Sequence, residues 1–294
     1  MTNEDSQDMD AQTFLKKLEK IPDLPTLPNI VIKVNKLLQD PETSIKELGK
    51  TIETDQAMAT KILRLVNSTF YGFRSKIRNI PHAIIILGFN NVRNALVSVA
   101  IIKTFSGKKT FEGFEMEDFW RHSVAVAVTS KYLSEQSSLD SPDDCFVAGL
   151  LHDIGKLVLS LHFTELFGLV WRSAKEDGLS FYEAEKKLSP VSHAQIGGYL
   201  AKKWQFPVSL VESISNHHAI EESVSNLNQL IIVHTANTIA NNHKGDSEIN
   251  PDYSTIDPVA RRIMSGQLET VSEWFPDAAT EIESACEFFL KEDW

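Results

Sequence analysis

Cysteine is scarce in this sequence, because Cys145 and Cys286 are the only two in 294 residues. Two thiols are too few for a disulfide framework or for a zinc site built on several cysteines. Both lie near apolar residues, where a free thiol packs as a small hydrophobic side chain. We therefore expect neither redox chemistry nor a disulfide-stabilised scaffold.

Long apolar runs are also missing. The longest, residues 83–89 and 95–102, fall well short of the roughly 18 to 20 residues that a membrane-spanning helix needs. The first ten residues include several acidic side chains, whereas a secretory signal begins with a basic region followed by an apolar one. The sequence predicts no membrane association and a cytoplasmic location.

Basic residues are outnumbered, since 29 Lys and Arg against 40 Asp and Glu give a formal net charge of -11. Nucleic-acid binding depends on basic side chains that replace counterions along the phosphates. A small basic cluster at Lys103, Lys108 and Lys109 is interpreted as a solvated linker face. We expect no nucleic-acid partner.

Patterns typical of β-strands are rare. The chain has only 13 glycines and no sustained alternation of apolar and polar residues, while apolar residues recur at spacings of three and four. The β-branched run Ile84-Ile85-Ile86 favours a strand when taken alone, but the helical pattern on both sides favours a helix. The sequence predicts an all-α protein.

The loop at 107–113, with a glycine at each end, separates an N-terminal from a central helical region. Within the first region, prolines at every third position of residues 22–28 favour an extended path across the helices. The predicted segments are an acidic tail with a lead-in helix (1–19), an N-terminal helical subdomain (20–106), a central helical subdomain (107–245) and a C-terminal helical extension (246–294).

The C-terminal extension starts with a polar, proline-containing stretch at 246–257 that is typical of a loop. Helices are predicted after it, with a break at Phe275-Pro276. We expect its aromatic residues to pack on the core, the alternative being a partner-binding surface. These residues are Trp274, Phe288, Phe289 and Trp294.

The most informative stretch is 149–156, predicted to lie in one helix that opens near Ser141-Pro142. Its adjacent His152 and Asp153 sit about 100° apart on such a helix, so both can face a single ion. Alone, the pair is more typical of a hydrogen bond on a helix surface. It becomes a candidate metal site because further histidines occur at His122, His193, His217 and His218.

Asp118 lies four residues before His122 and therefore on the same helical face. The two side chains could share an ion or simply hydrogen-bond to each other. His162 shows no partner at a ligand spacing and is interpreted as structural.

These motifs resemble those of the HDOD proteins, bacterial signalling modules related to the HD phosphohydrolases. The resemblance covers about residues 20–240 and implies an N-terminal helical bundle packed on an HD-like helical bundle. Its motifs are Leu24-Pro25-Thr26-Leu27-Pro28, residues 55–68, Leu87-Gly88, residues 149–156, residues 193–197, Trp204-Gln205-Phe206-Pro207 and Asn216-His217-His218.

The resemblance also implies a set of residues that binds one or two divalent transition metal ions, such as iron, manganese or zinc. The positions that match are His122, His152, Asp153, His193, His217 and His218. Two departures matter. Asn237 stands where the cyclic-dinucleotide phosphodiesterase branch has a closing aspartate, and residues 219–222 lack the loop that this branch carries after its histidine doublet.

Three function classes follow. The favoured one is a signal-transduction output or regulatory module with an HD-type metal site and little or no catalysis, acting on signalling proteins. The alternative is a metal-dependent phosphohydrolase for a cyclic dinucleotide or nucleotide, with Lys156 contacting phosphate oxygens. The third is a purely structural helical domain. A nucleotide or phosphate ligand at the metal site is compatible with the first two.

Overall fold

The computed structural model describes residues 10–68, 73, 75–242 and 253–291, and among these it contains helices, turns and loops but no strand. The all-α prediction is confirmed. The α-helices are α1 Ala11–Glu19, α2 Asn29–Leu37, α3 Ile45–Glu53, α4 Gln56–Val66, α5 Ile80–Leu87, α6 Phe89–Phe105, α7 Met116–Ser137, α8 Pro142–Leu151, α9 Ile154–His162, α10 Thr164–Asp177, α11 Phe181–Leu188, α12 His193–Lys203, α13 Val208–Asn216, α14 Leu227–Asn242, α15 Pro258–Ile263, α16 Ser265–Glu269 and α17 Val271–Lys291.

Several predicted features fall outside the described residues. They are the tail at residues 1–9, most of the loop at 246–257 and Trp294. The division into four segments stays a prediction.

The N-terminal bundle consists of α2 to α6, and side-chain caps start several of its helices. Ser44, Asp55 and Asn79 each accept a hydrogen bond from a backbone N–H in the first turn of α3, α4 and α5. Such caps satisfy donors that have no partner within the helix. Helices α5 and α6 meet at 120° at Gly88, whose φ of 85° suits glycine.

The N-terminal region contacts the central helices at several places, and hydrogen bonds form at two of them. The extended proline-rich segment buries Leu24 and Leu27, and its Pro25 carbonyl accepts a 3.0 Å hydrogen bond from the indole N–H of Trp204. At the other end of the bundle, the amide of Asn94 on α6 donates to Asp144 on α8 over 2.7 Å. The proline-rich segment contains no helix, in agreement with the extended path predicted for it, and it contacts the central bundle at Trp204.

The central bundle is arranged around α7, the 22-residue helix that packs against α8, α14 and α17. Trp274 on α17 stacks on Tyr132 of α7 with ring centroids 5.1 Å apart, and Phe288 and Phe289 are buried. Trp274, Phe288 and Phe289 thus pack on the core, as expected. The predicted break at Phe275-Pro276 is wrong, because α17 continues through Pro276 and the interruption falls before it, at Thr270.

The predicted continuous helix around His152 and Asp153 is also interrupted. Helix α8 ends at Leu151, His152 and Asp153 form a turn, and α9 begins at Ile154. By length and composition Pro142–His162 could span a membrane, but 83% of the apolar window in it is buried inside the protein. Helices α5 and α6 are long and apolar enough to span a membrane only if they are counted as one segment across their bend. The burial of Pro142–His162 matches that of core helices.

Candidate metal centre

The carboxylate of Asp153 lies at the centre of a buried group of imidazoles. Its Oδ1 is 3.0 Å from Nε2 of His193 and 3.5 Å from Nε2 of His217. Its Oδ2 is 3.3 Å from Nε2 of His152 and 3.8 Å from Nε2 of His122. Asp153 is 1% exposed, so water contributes little to solvating its charge.

These side chains form two sets of possible ligands that share Asp153. The first set contains His122, His152 and Asp153, and the second contains Asp153, His193, His217 and His218. Within each set the candidate ligand atoms lie within 4.8 Å of one another. A carboxylate with one oxygen toward each set can bridge two ions.

The six ligands come from four different parts of the fold. His122 lies on α7, His152 and Asp153 occupy the turn between α8 and α9, and His193 is the first residue of α12. His217 and His218 follow the last turn of α13. Because α9, α12 and α13 pack side by side, residues far apart in sequence meet at one point.

Backbone carbonyls fix which nitrogen of two imidazoles is protonated. Nδ1 of His152 lies 2.7 Å from the carbonyl oxygen of Gly149, and Nδ1 of His217 lies 2.8 Å from that of Ile214. A carbonyl oxygen only accepts, so each Nδ1 carries a proton, and in the neutral ring each Nε2 presents a lone pair to Asp153. This is the form in which histidine binds metals.

A cation would complete this arrangement. Nε2 of His152 and Oδ1 of Asp153 are buried without a hydrogen-bond partner in the structure. Nε2 of His193 is also 3.4 Å from Nε2 of His217 and 3.0 Å from Nε2 of His218. A buried acceptor that lacks a donor is costly, and a cation held between these nitrogens and the carboxylate would remove that cost. The donor set therefore fits a divalent transition ion.

Electrostatics keeps most of these groups in the form that binds metals. Burial by itself would raise the pKa of Asp153, but His152 and Lys156 hold it well below its ordinary value. Burial lowers the pKa of His217 to about 3 and, with the neighbouring histidines, lowers the pKa of His218 well below its usual range. The carboxylate is charged and these two imidazoles are neutral at neutral pH.

Glu185 is a site residue that the sequence analysis missed. It is 1% exposed on α11, and its two oxygens accept from the backbone N–H of His193 over 2.7 Å and from Nδ1 of the same residue over 2.8 Å. Burial alone would lower the pKa of His193, but the charge of Glu185 raises it. A carboxylate behind a histidine fixes the ring and makes it a better ligand.

Lys156 faces the same carboxylate. Its Nζ is 2.6 Å from Oδ2 of Asp153, the oxygen that belongs to the first set, and 5.4 Å from the ring centroid of Phe181. The ammonium group therefore neutralises part of the charge that an ion in the first set would use. Lys156 can compete with that ion.

Three other residues from the sequence analysis belong to neither ligand set. Asp118 is exposed and belongs to neither set. His162 lies 3.8 Å from Asp23, outside the site. Asn237 is buried on α14, where its amide oxygen accepts a 2.9 Å hydrogen bond from Asn241.

A pocket of about 330 Å³ adjoins the second set at His218. Tyr182 stacks on the His218 ring with centroids 4.1 Å apart, and Nζ of Lys186 lies 4.9 Å from the Tyr182 ring centroid. Both residues line the pocket, together with residues of α12 and α13. The pocket gives the buried site a neighbouring polar space.

The family model for the HDOD domain matches residues 24–220. The chain belongs to the HDOD family. An HDOD domain protein of unknown function from Geobacter sulfurreducens has a similar structure, with 26% identity, a TM-score of 0.70, and coverage of 94% of this chain and 96% of that one. The HDOD resemblance inferred from the motifs is thus confirmed.

Two further structures share the fold. A candidate phosphohydrolase from Shewanella amazonensis SB2B has 22% identity and a TM-score of 0.73 over 92% of this chain and 97% of that one. A candidate signal transduction protein from Marinobacter aquaeolei VT8 has 20% identity and a TM-score of 0.70 over 92% of this chain and 61% of that one.

The curated relative that matches is an uncharacterized protein of Treponema pallidum (strain Nichols), 23% identical over 231 residues. The match covers 76% of this chain but only 44% of that protein. The chain therefore spans less than half the length of this relative.

Replacement of Glu185 by Gln is expected to lower metal affinity about 10- to 100-fold, the usual cost of losing a partner behind a metal-bound histidine. The two donors of His193 use different oxygens of Glu185, and in Gln one of these oxygens is replaced by an NH₂ group that can only donate. Competition titrations with a chromophoric chelator measure the change. Glu183→Gln is the matched control, because Glu183 is an exposed capping residue of the same helix, and Gln serves in that role. Equal affinities of the two variants would contradict the role given to Glu185.

Proposed function

We propose that this chain is a bacterial, cytoplasmic signal-transduction output or regulatory module whose HD-like bundle binds one or two divalent transition metal ions and catalyses little or no hydrolysis. The observation that carries the proposal is the buried Asp153 carboxylate, which faces one set of imidazole nitrogens with each oxygen. Such a set is improbable as packing alone, which disfavours a purely structural domain.

The ligand types favour a transition metal. Five imidazoles and one carboxylate suit iron, manganese or zinc better than magnesium or calcium, which prefer oxygen ligands. The second set has four ligands, and Glu185 accepts a hydrogen bond from one of them, His193. The first set has three ligands, and Lys156 competes with its ion for Asp153. We therefore expect the second set to bind its ion more tightly.

Weak catalysis follows from the first set. By the family resemblance, Asn237 stands where the phosphodiesterase branch has a ligating aspartate, and its neutral amide oxygen already accepts from Asn241. Lys156 is bonded to the bridging carboxylate. With one ion weakly bound, the site lacks the paired charges that hydrolysis of a phosphodiester by two metals requires. The bundle then serves as a rigid scaffold or sensor that passes a signal to other proteins.

The alternative is a metal-dependent phosphohydrolase acting on a cyclic dinucleotide or nucleotide. Two ligand sets that share a carboxylate favour it, as does the pocket beside His218, where a nucleotide or phosphate ligand has space. Bound ions would supply an activated water and neutralise phosphate charge. Lys156 would then break its hydrogen bond to Asp153 and contact a phosphate oxygen instead.

Elemental analysis separates these possibilities. Protein purified without chelator should contain a transition metal, His217→Ala should lose most of it, and His152→Ala should lose less. Assays with cyclic dinucleotides and a generic phosphodiester should show little turnover. Absence of metal from the parent protein would exclude the site. Robust metal-dependent hydrolysis that both substitutions abolish would favour the phosphohydrolase.

The full chain is expected not to bind duplex DNA at physiological salt, because a net charge of -11 repels phosphates. Fluorescence anisotropy with a labelled duplex measures this. Submicromolar binding that does not depend on sequence would show that a basic patch overrides the overall charge. The partners we propose are signalling proteins, with no role for nucleic acid or membrane.

A further inference from the structure

His234 is a buried residue of α14 that belongs to neither ligand set, yet it contacts the backbone of a ligand. It is 6% exposed, and its Nδ1 lies 2.8 Å from the carbonyl oxygen of His217. Its Nε2 lies 3.0 Å from the backbone nitrogen of Asp257. Both His234 and Asp257 lie beyond the residues that the HDOD family model matches.

The two contacts require the same protonation state of the ring. The carbonyl of His217 only accepts, so Nδ1 of His234 donates to it. The backbone N–H of Asp257 only donates, so Nε2 of His234 accepts from it. The neutral imidazole protonated at Nδ1 satisfies both bonds at once, and the other neutral form satisfies neither.

The carbonyl of His217 needs such a partner. His217 is the residue at which α13 ends, and the last carbonyls of a helix have no donor within the helix. The bond from His234 supplies that donor. It thereby fixes the backbone at the point where His217 and His218 turn toward Asp153.

The other bond comes from the C-terminal helices. Asp257 caps α15, and its side chain accepts from the backbone N–H of Val259 over 2.8 Å. Ile256 and Ala260, on either side of it, are buried in a cluster that includes residues of α14 and α17. The position of Asp257 is therefore set by the packing of residues 253–291 on the bundle.

We infer that His234 is a positioning residue that couples the C-terminal segment 253–291 to the histidine doublet of the metal centre. The coupling runs from the packed Asp257 through the ring of His234 to the His217 backbone. This inference rests on the proposed metal centre. It implies that a partner or ligand that displaces the C-terminal segment weakens metal binding by the second set.

Three variants of the full chain test the coupling. His234→Ala removes both bonds, while His234→Asn keeps an N–H near Nδ1 for the His217 carbonyl and loses the acceptor for Asp257. Ser213→Ala is the control, because it removes a different buried bond between α13 and α14, the 3.0 Å bond from Ser213 to Gln229. Co²⁺ affinity is measured for each by competition with a chelator.

We expect His234→Ala to lower Co²⁺ affinity by about tenfold or more, the range found when support for a metal ligand is lost. His234→Asn should show a smaller but measurable loss, and Ser213→Ala none. If Ser213→Ala loses as much Co²⁺ affinity as His234→Ala, the effect is general destabilisation and the coupling is wrong. Parent-like affinity of His234→Asn would overturn the link to Asp257.

Nitrogen NMR of the metal-free protein, labelled at histidine, gives a readout that does not depend on metal. The His234 ring should be protonated at Nδ1 only, and His234→Asn should shift the ring signals of His217 and His218 while Ser213→Ala leaves them in place. If the parent binds no metal but these signals behave as expected, the proposed metal centre fails and the coupling stands. Protonation of His234 at Nε2 would overturn the coupling itself.

Discussion

Asp153→Asn is expected to remove metal from both ligand sets at once. Every imidazole of the site faces this carboxylate directly or through another histidine, and each of its oxygens serves one set. The amide has one oxygen instead of two and no negative charge, so it can neither bridge two ions nor balance their charge. The affinity for the metal should fall by more than about 100-fold, since even the loss of a residue that only hydrogen-bonds to a ligand costs about 10- to 100-fold.

Elemental analysis and chelator competition measure this loss, and circular dichroism checks that the helices remain. Asp118→Asn is the control, because Asp118 lies on the same helical face as His122 but is exposed and outside both sets. It should keep the metal content of the parent. If Asp153→Asn retains metal at the parent's level, Asp153 does not bridge the two sets, and the arrangement proposed for the site is wrong.

Gly155→Ala is expected to produce the largest loss of stability among single methyl additions in the site. A Cβ at Gly155 would overlap the carbonyl oxygen of His193 and lie 2.8 Å from the backbone nitrogen of Gly197. Neither backbone atom can move away as a flexible side chain would. Helices α9 and α12 must separate, which should lower the free energy of unfolding by about 3 kcal/mol or more, at or above the upper end for overpacking a core.

The same separation moves His193 away from Asp153, so metal affinity should fall together with stability. Urea denaturation measures the first effect and chelator competition the second. Gly266→Ala is the matched control, because it lies in helix α16 with no atom within 4 Å of the added Cβ. It should be neutral or stabilising by up to about 1 kcal/mol. A Gly155→Ala protein as stable as the parent would mean that α9 and α12 are less closely packed than described.

The Gly155 contact also shows why close packing escapes sequence analysis. Spacings of three and four residues predicted the helices, because a helix places such residues on one face whatever packs against it. The interruption at His152 and Asp153 and the continuation of α17 through Pro276 were not predicted. Neither follows from the local pattern of apolar residues.

By itself, the sequence determined the fold class through its periodicity, and it indicated the family and the six candidate ligands through the resemblance of its motifs to those of HDOD proteins. Only the tertiary structure decided how the ligands divide into two sets around Asp153, because α7, α9, α12 and α13 bring distant residues together. It also revealed Glu185 and His234. Neither lies in a recognisable motif. Glu185 hydrogen-bonds to His193, 8 positions away in the chain, and His234 to His217, 17 positions away, and no local pattern encodes such contacts.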